Sequence, residues 1–314
     1  MAPRRIVVLS VLMAYAACSG TRSGGARVRY PALAEIRALD GRLLVPAALP
    51  ARVAADREQK LEQALVQLEA DQEDRDAWIW VGRRLGYLGR YLDAIDVFTR
   101  ALERWPNDPF LLRHRGHRHL TVREFDRATE DLSRAALACR EVQDIVEPDG
   151  LPVPGRPPHS SLHFNVYYHL GLACFFEGDM GSARDAWLLC LACSDNDESR
   201  VAVTHWLWCA RARCGDRAGA LEAVQAITAD MDVVENTAYH QLCLLYKGER
   251  TRDQLTAGAG SSGAALRFGL AHHALVAGDR AGGEAALRAL AADPGWAAFG
   301  VIAAEAELAR GFLP

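Results

Sequence analysis

The sequence predicts an all-α protein built from a row of stacked helical hairpins. Within residues 75–108, Trp78, Gly82 and Leu85 recur at helical spacing, and a second set of small and large residues does so after a short break. A glycine marks the break and a proline ends the second helix. The pattern returns further along the chain. Because one hairpin cannot bury its apolar face alone, neighbouring hairpins are expected to share a continuous core.

The spacing within 75–108 reads Trp-x3-Gly…Gly-x-Tyr-x2-Ala-x3-Phe-x2-Ala-x4-Pro and resembles the tetratricopeptide repeat. The resemblance implies a right-handed superhelix, or α-solenoid, over residues 51–310. Its predicted repeats span about 75–108, 109–142, 164–197, 201–234, 235–263 and 264–297. In the second repeat Arg123 stands where the first repeat has Gly89. A leading helix before residue 70 and a final helix over 296–310 are expected to cover the two ends.

Composition and motifs argue against several classes of function. The net charge is −4 and no basic stripe stands out, so nucleic acid is not expected as a partner. We find no G-x-S-x-G elbow and no phosphate-binding glycine loop, and acidic pairs such as Glu130–Asp131 are expected on solvated helix faces. The sequence therefore predicts a protein that is not an enzyme and that has no cofactor.

The first residues have the pattern of an export signal. Arg4 and Arg5 precede an apolar run that ends at Cys18. Residues 1–18 resemble a bacterial lipoprotein signal, although Tyr15 stands where leucine is usual. The resemblance implies lipidation of Cys18 and an outer-membrane anchor facing the periplasm. Simple cleavage of a secretory signal is the open alternative. Residues 19–50, rich in Gly, Ser, Arg and Pro, are interpreted as an extended tether.

A loop over 143–162 interrupts the array of repeats. Its prolines and glycines exclude a regular helix, and loops of this length are usually functional or disordered. One interpretation is a passive insertion. The other, which we prefer, is that residues 147–161 fold back along the concave surface, where Glu147 and Asp149 meet basic side chains of the second repeat.

The positions that face the concave side of the predicted superhelix carry many aromatic, arginine and histidine side chains, which binding surfaces favour. The predicted groove, for a protein or peptide partner, consists of Trp80, Arg83, Tyr87, Arg113, His114, His117, Tyr168, His169, Phe176, His205, Trp206, Tyr239 and His272. Some of these side chains are expected to pack beneath neighbouring repeats instead.

Two groups of residues have the composition of a metal site. His114 and His117 share a helix face, but no third ligand stands near them in sequence, so we prefer a polar groove lining. Cys190-x-x-Cys193 lacks a second such pair, and Cys190 falls where the repeat needs a small buried residue. No metal is predicted at either place. Cys174 and Cys190 are the pair that would form a disulfide if one exists.

Segments such as WVGRRLGYLGRY and RHRGHRH make the chain similar to exported bacterial tetratricopeptide proteins without an assigned activity. The signal and repeats alone give a looser likeness to the envelope lipoprotein adaptor that brings proteases to peptidoglycan hydrolases. These resemblances imply a non-enzymatic scaffold or adaptor in the cell envelope. The alternative is an envelope protein that binds a small ligand or metal through the histidine-rich second repeat.

Overall fold

The computed structural model of the protein describes residues 35–256 and 260–311. The predicted signal, Cys18 and the first part of the predicted tether lie outside the described residues. Within the described ranges, no helix combines the length and the apolar character that crossing a membrane requires.

Helices make up most of the described chain, and the prediction of an all-α solenoid is confirmed. They are α1 (Ala51–Ala70), α2 (Arg75–Tyr87), α3 (Tyr91–Arg104), α4 (Pro109–Thr121), α5 (Phe125–Ala138), α6 (Leu162–Glu177), α7 (Met180–Ala192), α8 (Asp197–Arg213), α9 (Arg217–Val224), α10 (Thr237–Lys247), α11 (Gly260–Val276), α12 (Arg280–Ala291) and α13 (Phe299–Arg310). The sheet of the described part is one antiparallel pair, β1 (Ile36–Arg37) and β2 (Leu43–Leu44).

Three of the turns between paired helices depend on glycine-aspartate pairs, at 178–179, 215–216 and 278–279. Each glycine adopts a left-handed backbone conformation, with φ of 93°, 75° and 93°, which ends the first helix. Each aspartate then accepts a hydrogen bond from a backbone N–H three residues later and so caps the second helix. The dipeptide therefore specifies both ends of the turn.

Close packing within each hairpin depends on the small positions of the repeat. A Cβ at Gly82 would lie 2.3 Å from the ring of Phe98, and a Cβ at Gly171 would lie 2.2 Å from the indole of Trp187. Any side chain at these positions would separate the two helices, because the interior has no room for an extra atom. The large residue on the second helix thus needs the glycine on the first.

One predicted repeat differs from the expected hairpin. The described part of the range 235–263 contains α10, a single 3₁₀ turn, Arg252–Gln254, and the start of α11 instead of two complete helices. The sequence explains the difference, since residues 248–256 have Leu255 as their one large apolar side chain and lack the apolar face of a second helix. α10 packs directly against α8 and α11.

The first helices of the hairpins, α2, α4, α6 and α8, form what we call the inner face, and α13 packs against part of it. Phe299 at the start of α13 contacts the rings of His117 and His169, with centroids 5.2 and 5.7 Å apart. Near its end, Arg310 donates to the carbonyl of Phe176. The final helix packs on the last hairpin, α11 and α12, as the sequence predicts. It also contacts α6, so this part of the inner face is not an open groove.

Ion pairs with little exposure to solvent hold α13 in place. Glu305 accepts hydrogen bonds from Arg123, one of them 2.7 Å long, and both side chains are almost fully buried. Glu307 pairs with Arg213 and Arg310 at 3.1 and 2.9 Å. Leaving one member of such a pair unpartnered is strongly unfavourable, so these contacts fix the position of the helix.

The strand pair joins the two ends of the described solenoid. Leu44 is buried in the core, and the indole N–H of Trp296 donates to the carbonyl of Val45 at 2.8 Å. Pro46 packs close to Gly89 in the first hairpin turn. The described part of the predicted tether is therefore packed against the repeats rather than extended.

Candidate functional site

The predicted groove residues fall into three groups, and the first is partly exposed although Gly150 of the loop contacts it. Trp80, Arg83 and Tyr87 on α2 are half-exposed. The guanidinium of Arg83 lies 4.4 Å from the centroid of the Trp80 ring, and that of Arg84 lies 4.7 Å from it. Both distances are within the range of a cation–π interaction. We call these four residues the Trp80 patch. The sequence analysis did not include Arg84, although its neighbour was named.

The second group is a buried polar cluster that includes the insertion loop. Arg113 and Glu147 are 8% and 4% exposed, and the guanidinium donates to the carboxylate. The Nη1 atom of Arg113 lies 2.8 Å from Nδ1 of His114, which therefore accepts. The amide of Asn165 also donates to Glu147. The predicted contact between Glu147 and the second repeat is present, and it leaves Arg113 and His114 buried.

The remainder of the loop crosses the inner face. The Gly150 carbonyl accepts from Arg84 at 3.3 Å, and a Cβ at Gly150 would lie 1.7 Å from the hydroxyl of Tyr87. At the far side, Arg156 donates twice to Asp232, each time at 2.6 Å. Asp149 does not meet a basic side chain of the second repeat as predicted. It accepts from the backbone N–H of Leu151. Loop residues thus lie over part of the predicted groove.

The third group lies in the interior, where a partner cannot reach most of its members. Its buried residues are Tyr168, His169, Phe176, His205, Trp206 and His272, while His117 and Tyr239 are half-buried. The Trp206 indole donates to the Tyr168 hydroxyl at 2.8 Å, and the Tyr246 hydroxyl lies 3.1 Å from Nδ1 of His205. The expectation that these buried positions line an open groove needs correction. The neighbouring helices and α13 supply the burial.

Burial controls the charge of these histidines. Desolvation lowers the pKa of His169, His205 and His272 to about 3 each. It also lowers the pKa of His114 and His117, and nearby arginines lower it further. All five rings are therefore neutral at pH 7 and act as packing and hydrogen-bonding groups.

The histidine-rich second repeat does not form a metal cluster in the described part of the chain. His114 lies parallel to the ring of Phe98, whereas His117 packs on His169 with centroids 4.4 Å apart. Within residues 35–256 and 260–311, the group of three donor side chains with metal-binding separations lies elsewhere, at Asp144, His163 and Cys193. The alternative function based on His114 and His117 therefore has no geometric support.

The cysteines behave largely as small buried residues. Cys190 is fully buried, and its thiol lies 3.5 Å from the carbonyl of Phe164. Burial raises the pKa of Cys174 to about 12. The seven cysteines of the described ranges are all unpaired, so the suggested bond between Cys174 and Cys190 is not formed. Cys193 differs because it is only half-buried.

Comparison with known proteins places the chain among solved helical-repeat structures only at low similarity. No family model matches, and no curated protein matches. A tetratricopeptide repeat protein from Parabacteroides merdae is 12% identical, with a TM-score of 0.47 over 75% of this chain and 86% of that chain. YrrB, described as a tetratricopeptide protein with an unusual peptide-binding site, is 15% identical, with a TM-score of 0.43 over 73% and 99%. A MamA structure is 19% identical, with a TM-score of 0.39 over 55% and 88%.

We expect the buried ion pair between Glu147 and Arg113 to hold the loop in place. In Glu147→Ala, Arg113 loses its carboxylate in a buried site, which should lower the free energy of unfolding by about 3 kcal/mol. The loop should also be cut faster by a nonspecific protease between residues 148 and 158. Arg156→Ala is the matched control, because it removes an exposed ion pair and should change stability little. Equal effects of the two variants in urea unfolding would contradict this account.

The neutral histidines predict a loss of stability in acid. Their folded pKa is about 3 and their unfolded pKa about 6.5, so the unfolded chain binds protons first as the pH falls. The stability they contribute is complete above pH 6.5 and is lost progressively down to about pH 3. Lowering the pH from 7 to 5 should reduce the free energy of unfolding by about 2 kcal/mol for each such histidine.

The variant His205→Gln removes one of these titrating rings. Urea unfolding measures the free energy of unfolding at pH 7 and at pH 5. The decrease between the two should be about 2 kcal/mol smaller in this variant than in the unmodified protein. Tyr246→Phe is the control, since it removes the hydrogen bond to His205 but keeps the titrating ring. An unchanged loss in His205→Gln would show that His205 is protonated in the folded protein.

Proposed function

We propose that the protein is a non-enzymatic interaction scaffold that binds an acidic, extended segment of a protein partner at the Trp80 patch. The observation that carries the proposal is the chemistry of this patch. Two guanidinium groups are fixed on one indole ring, and both are half-exposed. In the described part of the chain neither guanidinium pairs with a carboxylate: Arg83 donates to the Tyr87 hydroxyl at 3.4 Å and Arg84 to the Gly150 carbonyl at 3.3 Å. A carboxylate of the partner would form the ion pair that these two guanidinium groups lack.

Three features favour this patch over the rest of the predicted groove. Arginine and tryptophan are the residues that most often carry binding energy at interfaces. The loop already supplies a carboxylate to the neighbouring Arg113, which supports an acidic preference on this face. The positions further along the inner face are buried beneath α13 or the loop. A partner can therefore approach the inner face most directly from the end formed by α2.

Photo-crosslinking in cells tests the location of the partner. A photoreactive residue in place of Tyr87 should capture a partner, whereas the same residue in place of Leu189, which is exposed on α7, should not. Arg83→Ala should reduce the yield at position 87 by about tenfold or more, the effect of losing one charge-assisted contact. Arg288→Ala on α12 is the charge-matched control and should have no effect. Equal capture at positions 87 and 189 would reject the patch.

We also propose that the protein is exported and lipid-anchored through Cys18, in the periplasm at the outer membrane. The support is the sequence pattern of residues 1–18 alone. Cys18→Ser should move the protein from the membrane fraction to the soluble periplasmic fraction, or stop processing of the precursor. Protein that is soluble in both forms would indicate simple cleavage of a secretory signal instead.

A further inference from the structure

Three side chains with metal-binding chemistry meet at the base of the insertion loop. Asp144 follows α5, His163 lies in the first turn of α6, and Cys193 caps the end of α7. A carboxylate oxygen, a ring nitrogen and the thiol sulfur lie within 4.8 Å of one another. All three residues are half-buried, so an ion in solution has access to them.

The hydrogen bonding of His163 identifies which ring nitrogen is available. Its Nε2 atom lies 3.1 Å from the carbonyl oxygen of Val142, which can only accept a hydrogen bond. Nε2 therefore carries a proton, which makes Nδ1 the ring nitrogen that a cation would bind. Nδ1 lies 3.9 Å from Oδ2 of Asp144. A histidine that donates its other ring N–H to a carbonyl is the usual arrangement at metal centres.

Asp144 is held in a fixed orientation by the loop it begins. The hydroxyl of Ser161 donates to Oδ2 at 2.7 Å, and the backbone N–H of His163 donates to Oδ1 at 2.8 Å. Each bond keeps the carboxylate turned toward the start of α6. Ligating carboxylates are commonly hydrogen-bonded in this way, because the partners reduce the entropy lost on metal binding.

We propose that Asp144, His163 and Cys193 form a binding site for a divalent zinc-class cation. Oxygen, imidazole nitrogen and thiolate sulfur together suit Zn²⁺. Bond lengths of about 2.0 to 2.3 Å place tetrahedral ligand atoms about 3.3 to 3.6 Å apart. The observed separations need to close by about 1 Å, which side-chain rotation supplies. Three protein ligands leave the fourth position for water.

Bound metal would fix the base of the loop. Asp144 and His163 stand at its two ends, and Cys193 belongs to the neighbouring helix α7, so one ion would join three segments. This inference is independent of the proposed partner site, since the Trp80 patch contributes no ligand. It also departs from the sequence prediction that the protein holds no metal.

Cobalt titration of the purified protein, stripped with a chelator and kept reduced, tests the site. One equivalent of Co²⁺ should produce a thiolate-to-cobalt charge-transfer band in the near ultraviolet, and Zn²⁺ should abolish it. Cys193→Ser and Cys193→Ala should both lack the band. His163→Ala should weaken Co²⁺ binding by more than the roughly tenfold that a change outside the ligand set costs. Circular dichroism checks that each variant is folded.

Matched controls are available for both ligands. Cys214 caps α8 as Cys193 caps α7, and His240 donates to a backbone carbonyl at 2.7 Å as His163 does. Cys214→Ser and His240→Gln should leave the band and the affinity unchanged. A band that persists in the Cys193 variants would overturn the proposal. So would the absence of stoichiometric Co²⁺ binding.

Discussion

The buried pairing of Arg123 with Glu305 determines the shape of the inner face. Glu305 and Glu307 place two carboxylates of α13 in the interior, and each needs an arginine from another part of the array. Charges at this depth are tolerated only when they are paired and hydrogen-bonded. The last helix is therefore held at one position, and the rings of His117 and His169 are covered as a result. The inner face therefore has a smaller accessible surface than that of an open superhelix.

Local sequence spacing was sufficient to predict the hairpins. Gly82 and Phe98, or Gly171 and Trp187, are near each other in sequence, and their packing can be inferred without the rest of the chain. The same spacing identified which positions face inward. It did not reveal whether those positions are exposed, because their burial depends on helices that come later in the chain, such as α10 and α11 around His205 and Trp206. His205 and Trp206 have the register of groove residues and the burial of core residues.

The candidate sites were harder to infer for the same reason. Attention fell on His114 and His117 because they are neighbours in sequence, but the fold gives them different surroundings. Asp144, His163 and Cys193 come from three segments, and no local motif joins them. The motif Cys190-x-x-Cys193 contains one of these three residues, Cys193. Its two thiols differ because α7 ends between them, which leaves Cys190 inside and Cys193 at the helix end.

The backbone at Arg123 links this architecture to the order of folding. Arg123 is the one non-glycine residue with a positive φ in the described ranges, at 67°, and an L-residue there costs about 1 kcal/mol. The contact that compensates for this strain lies 182 residues later. At about 5 to 20 residues per second, a nascent chain waits roughly 10 to 40 s for it. During that time the turn at Arg123 lacks its ion pair with Glu305, and His117 lacks its contact with Phe299.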